Sequence, residues 1–235
     1  PVLFLLAHAT GNAGRYAELL PRLAARARLA PLDLPGHGSR RREAPLGDME
    51  DIRDDLARQA AGILGAGAPG GPARYYVLGH SMGAVNGYVM TERLMSLGLG
   101  APARFFASSF SVPGWHPIPP GMPGLPDPEM WRVSAERFGV LNGQPVPSPE
   151  QMAIHSPVYR ADLRAVEGYR PRRLTRLPCP VTVVYAESDM VDAALASRWA
   201  ALTASPPEIV KVPGGHFHPL ERPGRLEELL LERVS

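Results

Sequence analysis

The sequence holds a single cysteine, Cys179, so no disulfide can form within the chain. Cys179 sits between Pro178 and Pro180 at the start of an apolar run, where a small buried thiol is expected and a cysteine nucleophile is not. Lysine is nearly absent: Lys211 is the only one among 25 basic residues. Arginine's planar fork suits carboxylate or phosphate partners, but a GC-rich genome accounts for the same bias. The formal net charge is only +2, and no basic stripe with interleaved aromatics appears, which argues against nucleic-acid binding. Long apolar runs are missing as well. The longest near the start, Val2 to Ala7, stops at His8, far short of the roughly 18 residues of a membrane span. That run also lacks the basic flank and small-residue cleavage site of a secretory signal. A soluble cytoplasmic enzyme with no membrane association is the expectation. Neither a metal-ligand cluster nor a glycine-rich phosphate loop is present, so no cofactor and no metal are expected.

What is there is an alternation of short apolar runs with helical patterns. With 235 residues, 45% of them apolar, the chain can bury a sizeable core, and one domain spanning 1–235 is the default. Val2 to Ala7 reads as a buried strand and Arg15 to Ala27 as a helix, with Tyr16, Leu19, Leu20 and Leu23 on one side. A short strand through Leu32 leads into the turn-rich Asp33-Leu34-Pro35-Gly36-His37-Gly38. Asp48-Met49-Glu50-Asp51 opens a second helix, acidic in its first turn, which Gly65 to Pro72 closes. Tyr75 to Leu78 is a strand followed by a helix from Ser81 to about Leu97, and Arg104 to Ser109, Val181 to Ala186 and Ile209 to Val212 are further strands. This order predicts an α/β fold with a mostly parallel central sheet flanked by helices.

The alternation breaks once, over approximately 111–177. A proline-rich piece, VPGWHPIPPGMPGLPDP, is followed by helical patterns at Glu129 to Phe138, Pro149 to Ile154 and Val158 to Tyr169. A long strandless segment inside a compact α/β domain reads as a helical lid insertion. Asp162 within it reads as a surface charge of a lid helix.

Gly79-His80-Ser81-Met82-Gly83 matches G-x-S-x-G and lies between a predicted strand and a predicted helix, as that motif requires. The turn is so tight that only glycine fits on either side of the serine, which makes Ser81 the candidate nucleophile. A serine hydroxyl needs a histidine to take its proton and a carboxylate to orient that histidine, and in this fold class both follow the serine in the chain. His116 and His155 fall in the insertion. His216 follows a strand through Pro213-Gly214-Gly215, with His218 the alternative. For the acid, the strand Val181 to Ala186 leads into Glu187-Ser188-Asp189-Met190-Val191-Asp192, and ligand groups in parallel sheets gather at such C-terminal ends. Asp189 is the first candidate, Asp192 the second and Glu187 the third. The oxyanion donors are expected to be the backbone N–H of Met82 and, from His8-Ala9-Thr10-Gly11, that of Ala9.

Together these segments resemble the type II thioesterases, stand-alone α/β-hydrolases that service polyketide and nonribosomal peptide synthases. His8-Ala9-Thr10-Gly11 is similar to that family's H-A-G-G turn, and Leu34-Pro35-Gly36-His37-Gly38-Ser39-Arg40 with Glu43 and Pro45 to its L-P-G-x-G-x-R-x-x-E-P segment. Asp48-Met49, Asp54-Asp55-Leu56 and Gly79 to Ala84 continue the match. So do Arg160-Ala161-Asp162 with Leu163 to Tyr169, Cys179-Pro180-Val181-Thr182 and Pro213 to Phe217. The resemblance implies a triad of Ser81, Asp189 and His216, a mobile lid, and a substrate that is an acyl thioester on a phosphopantetheinyl acyl or peptidyl carrier protein. The acid loop departs from the family's D-x-D-P-x-V, which keeps Asp192 in play, and His218 stands where an aromatic residue is common. Arg40, Arg41 and Arg42 are candidates for meeting an acidic carrier surface, against the plainer reading of a solvated loop. Two other enzyme readings share the triad: a carboxylesterase or lipase-like hydrolase of small esters, and a releasing thioesterase domain of a synthase. A non-enzymatic module on this fold would ordinarily lack a triad member.

Overall fold

A computed structural model describes residues 1–65, 73–115, 119–139, 146–171 and 173–235. His116 lies outside them, as does most of the segment expected to close the second helix. Among the described residues six strands form one sheet: β1 (Val2–Leu6), β2 (Arg28–Pro31), β3 (Tyr75–His80), β4 (Arg104–Ser108), β5 (Val181–Ala186) and β6 (Glu208–Val212). Their order is β2-β1-β3-β4-β5-β6 and every pairing is parallel. The expected parallel sheet with helices on both faces is what the chain builds.

Parallel strands are buried on both faces, and here each strand divides its side chains between two cores. Phe4, Val77, Phe105 and Val183 face one side, where they meet α2 (Met49–Leu64) and α3 (Met82–Ser96) through Ile52, Leu56, Tyr88 and Leu94. Leu3, Leu5, Tyr76, Leu78, Phe106 and Val184 face the other, against Tyr16 of α1 (Ala13–Leu19) and Leu226 and Leu230 of the C-terminal helix Pro223–Leu231. Asp48 caps α2 by accepting from the amides of Glu50 and Asp51, and Gly65 ends it in the left-handed conformation at φ 69°. The first helix is shorter than the expected Arg15 to Ala27. It stops at Leu19 because Pro21 forces the preceding residue out of the helical region, Leu20 taking φ −122° and ψ 51°, and a 3-10 turn over Pro21–Ala25 follows.

The insertion contributes α4 (Asp127–Phe138) and α5 (Pro149–Gly168). The two helices expected around Pro149 to Ile154 and Val158 to Tyr169 are one, running through Pro157. Proline in a helix interior ordinarily costs about 3 kcal/mol. Packing offsets that cost: Met152, Tyr159 and Leu163 sit on a shared face against Met130 and Trp131 of α4, and Ala9 packs against this small core. Trp131 Nε1–H donates to Ser156 at 2.9 Å and the Tyr159 hydroxyl to Ser134 at 2.7 Å, tying both halves of α5 to α4. Ser148 and Gln151 close a reciprocal capping box at the start of α5. Three short or terminal helices complete the chain: α6 (Ala193–Ser197), α7 (His218–Glu221) and α8 (Pro223–Leu231).

Candidate active site

Strand order reverses between β1 and β3, so the loops leaving their C-terminal ends diverge and open a crevice. Ser81 leaves β3 there with φ 55° and ψ −124°, a conformation that a non-glycine residue adopts only when its surroundings enforce it. They do so through close backbone contacts. A Cβ on Gly79 would lie 2.1 Å from the carbonyl oxygen of Gly83, and one on Gly83 would lie 2.3 Å from that of Leu6. Helix α3 is thereby pressed onto β1 and β3, and the Ser81 amide donates to the Ser108 carbonyl at 2.7 Å.

The structure brings Ser81, His216 and Asp189 together. His216 Nδ1 lies 2.9 Å from Asp189 Oδ1 and Nε2 lies 2.9 Å from Ser81 Oγ. The carboxylate can only accept, so Nδ1 carries the proton and Nε2 is left to receive the Ser81 hydroxyl. The Asp189 side chain is fully buried. Burial pushes its carboxyl up, but His216, followed by the nearby Ser109 hydroxyl and the Val191 amide, outweighs that and holds it below the usual carboxylate range. The other candidates have different partners. Asp192 caps α6 by accepting from the Leu195 amide at 2.8 Å, and Glu187 is exposed. His218 is buried and hydrogen-bonded through Nε2 to Ser108 at 3.1 Å.

Behind the serine lies a buried histidine cluster of His8, His80 and His218, three rings that lie far apart in the sequence. Ser108 Oγ bridges His80 Nδ1 at 2.9 Å and His218, donating to one ring and accepting from the other. His8 Nδ1 is bonded to the Tyr16 hydroxyl at 2.8 Å. Burial above all keeps these rings neutral: His8 and His218 are each pulled down to about 4, and His80 well below its ordinary value. Additional contributions come from His216 in all three cases. Apart from His216, then, no ring in the cluster competes for the serine's proton near neutral pH. Among the described residues, no group of three His, Cys, Asp or Glu converges in a way that could hold a metal ion.

Ser81, His216, Ala9 and Met82 open onto a cleft whose empty space, including the part continuous with solvent, is about 490 Å³. Phe110, Phe138, Tyr159, Leu163, Val166 and Phe217 make its walls apolar, four of them from the insertion. The Phe138 ring stands 6.0 Å from that of His216. Met82 is the first residue of α3, where a backbone N–H has no partner within the helix, and Ala9 faces it from the loop after β1.

Two expectations need correction. Asp162 is not a surface charge: it is 1% exposed, accepts from the Thr10 amide at 2.7 Å, and lies 3.0 Å from His37 Nε2. Its place is buried because α5 lays that face onto the loops after β1 and β2, a contact between segments more than a hundred residues apart. Arg40 is not free for a partner either, since its guanidinium bonds both Asp55 and Glu43. Asp33, in the turn-rich loop after β2, also has a structural role that its local sequence does not signal. Its carboxylate accepts from the amides of Ala13 and Ser39 and from the Ser39 hydroxyl, which pins the loop that carries His37.

The chain belongs to the alpha/beta hydrolase family, whose model matches residues 4–229. Within that family the proteins it resembles include thioesterases of biosynthetic pathways. It is 30% identical over 214 residues to a probable cadicidin biosynthesis thioesterase of Streptomyces griseus, covering 89% of this chain and 56% of that protein's length. Among solved structures it resembles the type II thioesterase BorB from the borrelidin biosynthetic cluster, with 26% identity, a TM-score of 0.80, and coverage of 100% of this chain and 91% of the other. It also resembles RedJ, a thioesterase from the prodiginine pathway of Streptomyces coelicolor, with 26% identity, a TM-score of 0.83, and coverage of 98% and 83%. These neighbours bear out the resemblance to type II thioesterases, and the family match bears out the α/β-hydrolase fold.

Proposed function

We propose that this protein is a serine hydrolase that cleaves acyl thioesters from phosphopantetheinyl acyl or peptidyl carrier proteins, removing aberrant or stalled acyl groups from polyketide or nonribosomal peptide synthases. The observation that carries the reading is the unbroken hydrogen-bond chain from Asp189 through His216 to Ser81 at the base of an apolar cleft. Ser81 Oγ attacks the thioester carbonyl while His216 Nε2 takes its proton. Negative charge gathers on the former carbonyl oxygen, which the amides of Ala9 and Met82 receive. The tetrahedral intermediate expels the phosphopantetheine thiolate, to which His216 returns the proton, and the acyl group remains on Ser81. Water, deprotonated by His216, then releases the acid and restores the serine. The apolar walls suit an acyl chain, and the reading is supported by the names of similar proteins, which are thioesterases of a biosynthesis, a biosynthetic cluster and a biosynthetic pathway.

The reading treats the chain as one catalytic domain, with the insertion over approximately 111–177 as its lid. No helix among the described residues is long and apolar enough to cross a membrane. Cys179 is buried with its thiol pushed up to about 11, mainly by desolvation, which fits an enzyme that makes no use of the thiol; a cytoplasmic location is part of the same reading. The test is release of a short acyl group from a phosphopantetheinylated carrier protein, run beside a small acyl ester and the Ser81→Ala variant. Fast, Ser81-dependent release from the carrier with poor ester turnover is the expected outcome. Ester turnover with the carrier untouched would reassign the substrate to small esters, and activity surviving in Ser81→Ala would remove the mechanism.

A further inference from the structure

The loop that supplies Ala9 is held partly from outside itself. Thr10 sits at φ 62°, a conformation costing a non-glycine residue about 1–3 kcal/mol unless the surroundings impose it. Gly11 bends back so far that its amide donates to the His8 carbonyl at 2.8 Å, and a Cβ on Gly11 would lie 2.7 Å from that same oxygen. What holds Thr10 comes from the other side of the cleft. Its amide donates to Asp162 Oδ2 at 2.7 Å, so a residue of α5 fixes the peptide immediately following Ala9.

Asp162 is held in turn. Its Oδ2 also lies 3.0 Å from His37 Nε2, and His37 Nδ1 is 3.1 Å from the Pro35 carbonyl. The Pro35 carbonyl and an ionised Asp162 both accept only, a setting that favours the imidazolium form of His37, with both ring nitrogens donating. Burial works against that charge, but the hydrogen bond and charge of Asp162, with the Pro35 carbonyl and Asp33, outweigh it and raise the His37 pKa. The second carboxylate oxygen, Oδ1, is buried with no hydrogen-bond partner among the described residues. A helix anchor requires no such arrangement. Apolar contacts from Tyr159 and Leu163 already seat α5, and an apolar pair commonly replaces a buried ion pair without loss of stability.

We propose that Asp162 is a positioning residue for the oxyanion hole: held by His37, it fixes the Thr10 peptide and thereby aims the Ala9 N–H, so that a residue of the insertion sets the geometry in which Ser81 reacts. This rests on the reading of Ser81 and Ala9 given above. Loss of an oxyanion donor costs about 10²–10³ in rate, and a donor misaimed rather than removed costs less. Asp162→Ala is therefore expected to lower kcat about 10- to 100-fold on an acyl N-acetylcysteamine thioester, with KM within about two-fold. Affinity for an acyl trifluoromethyl ketone, which occupies the oxyanion hole as a tetrahedral adduct, falls in the same proportion. Asp162→Asn keeps an oxygen for the Thr10 amide and recovers most of kcat.

The double variant His37→Phe/Asp162→Leu separates positioning from anchoring. It removes the ion pair as a unit and is expected to fold with a melting temperature near the parent's, yet to show the same kcat loss as Asp162→Ala. It also carries the test if Asp162→Ala does not fold. Parental kcat in a folded Asp162→Ala or in the double variant overturns the proposal, as does a kcat loss without a matching loss of ketone affinity. Ser81→Ala runs alongside: an inert Ser81→Ala beside a fully active Asp162 variant refutes this inference alone, whereas an active Ser81→Ala refutes the reading beneath it.

Discussion

Asp189→Asn is the sharpest test of how the three residues divide their work. The exchange preserves size and shape and changes what the side chain can offer His216 across 2.9 Å. The carboxylate accepts only, so His216 keeps its proton on Nδ1 and presents a lone pair to Ser81. An asparagine amide in the same place can turn its N–H₂ toward Nδ1, which moves the ring proton to Nε2 and leaves Ser81 with no base. The expected loss in kcat is about 10⁴, equivalent to roughly 5.4 kcal/mol of transition-state stabilisation, with KM little changed. Asp192→Asn is the matched control. Asparagine caps a helix as well as aspartate, so the bond to the Leu195 amide survives and kcat stays within about two-fold. Asp192→Ala loses the cap, about 1 kcal/mol, which lowers the melting temperature of a chain this long by roughly 2–4 °C without touching turnover. The assay is carrier-acyl release under saturating substrate, with thermal unfolding of each variant beside it. More than about a tenth of parental kcat in Asp189→Asn, or an equal collapse in Asp192→Asn, would refute the assignment of Asp189 to His216.

Gly83→Ala places a methyl 2.3 Å from the Leu6 carbonyl oxygen and 2.6 Å from that of Ala7, both backbone atoms, so α3 must lift from β1. Overpacking of this kind costs about 1–3 kcal/mol, and a drop of roughly 2–12 °C in melting temperature with reduced kcat is expected; an unchanged melt would contradict the close approach. The His37–Asp162 pair carries a pH signature. The folded pKa of His37 is raised above its unfolded value, so its stabilisation is complete below that unfolded value, near 6.5, and is lost as pH rises through the folded one. The groups facing it are Asp162 and Asp33, which favour the charge, and His8, which burial keeps neutral. Unfolding of the parent and of His37→Gln, compared from about pH 6 to about pH 9, should show the parent's advantage shrinking as pH rises; a constant difference would mean that the pair is not charged.

Much of the architecture is written in local chemistry. Short β-branched and aromatic runs ending in glycine or a turn mark the strands, and Asp48 and Gly65 punctuate α2 by mechanisms that involve only their near neighbours. The serine turn is legible for the same reason, because the clash that demands glycine at 79 and 83 arises within a few residues and against one adjacent strand. Pro21 carried an equally local signal, a break before it, and the helix expected through to Ala27 overran it. Pro157 carried the same signal and misled, because packing against α4 outweighs the hydrogen bond that proline removes.

The choice among acids was not available locally. Asp189 and Asp192 lie three residues apart on one loop, and only the position of His216, brought alongside by β6, separates a histidine partner from a helix cap. The role of Asp162 was further out of reach, since 152 residues of chain lie between it and the amide it holds, and its charge on a helix of mixed polarity looks like surface. The sequence by itself determined the parallel sheet, the elbow that bears Ser81 and the order in which serine, acid and histidine follow. The tertiary structure decided which carboxylate meets which donor, because a side chain's burial and partners depend on segments that approach only once the sheet has closed and α5 has settled over its C-terminal edge.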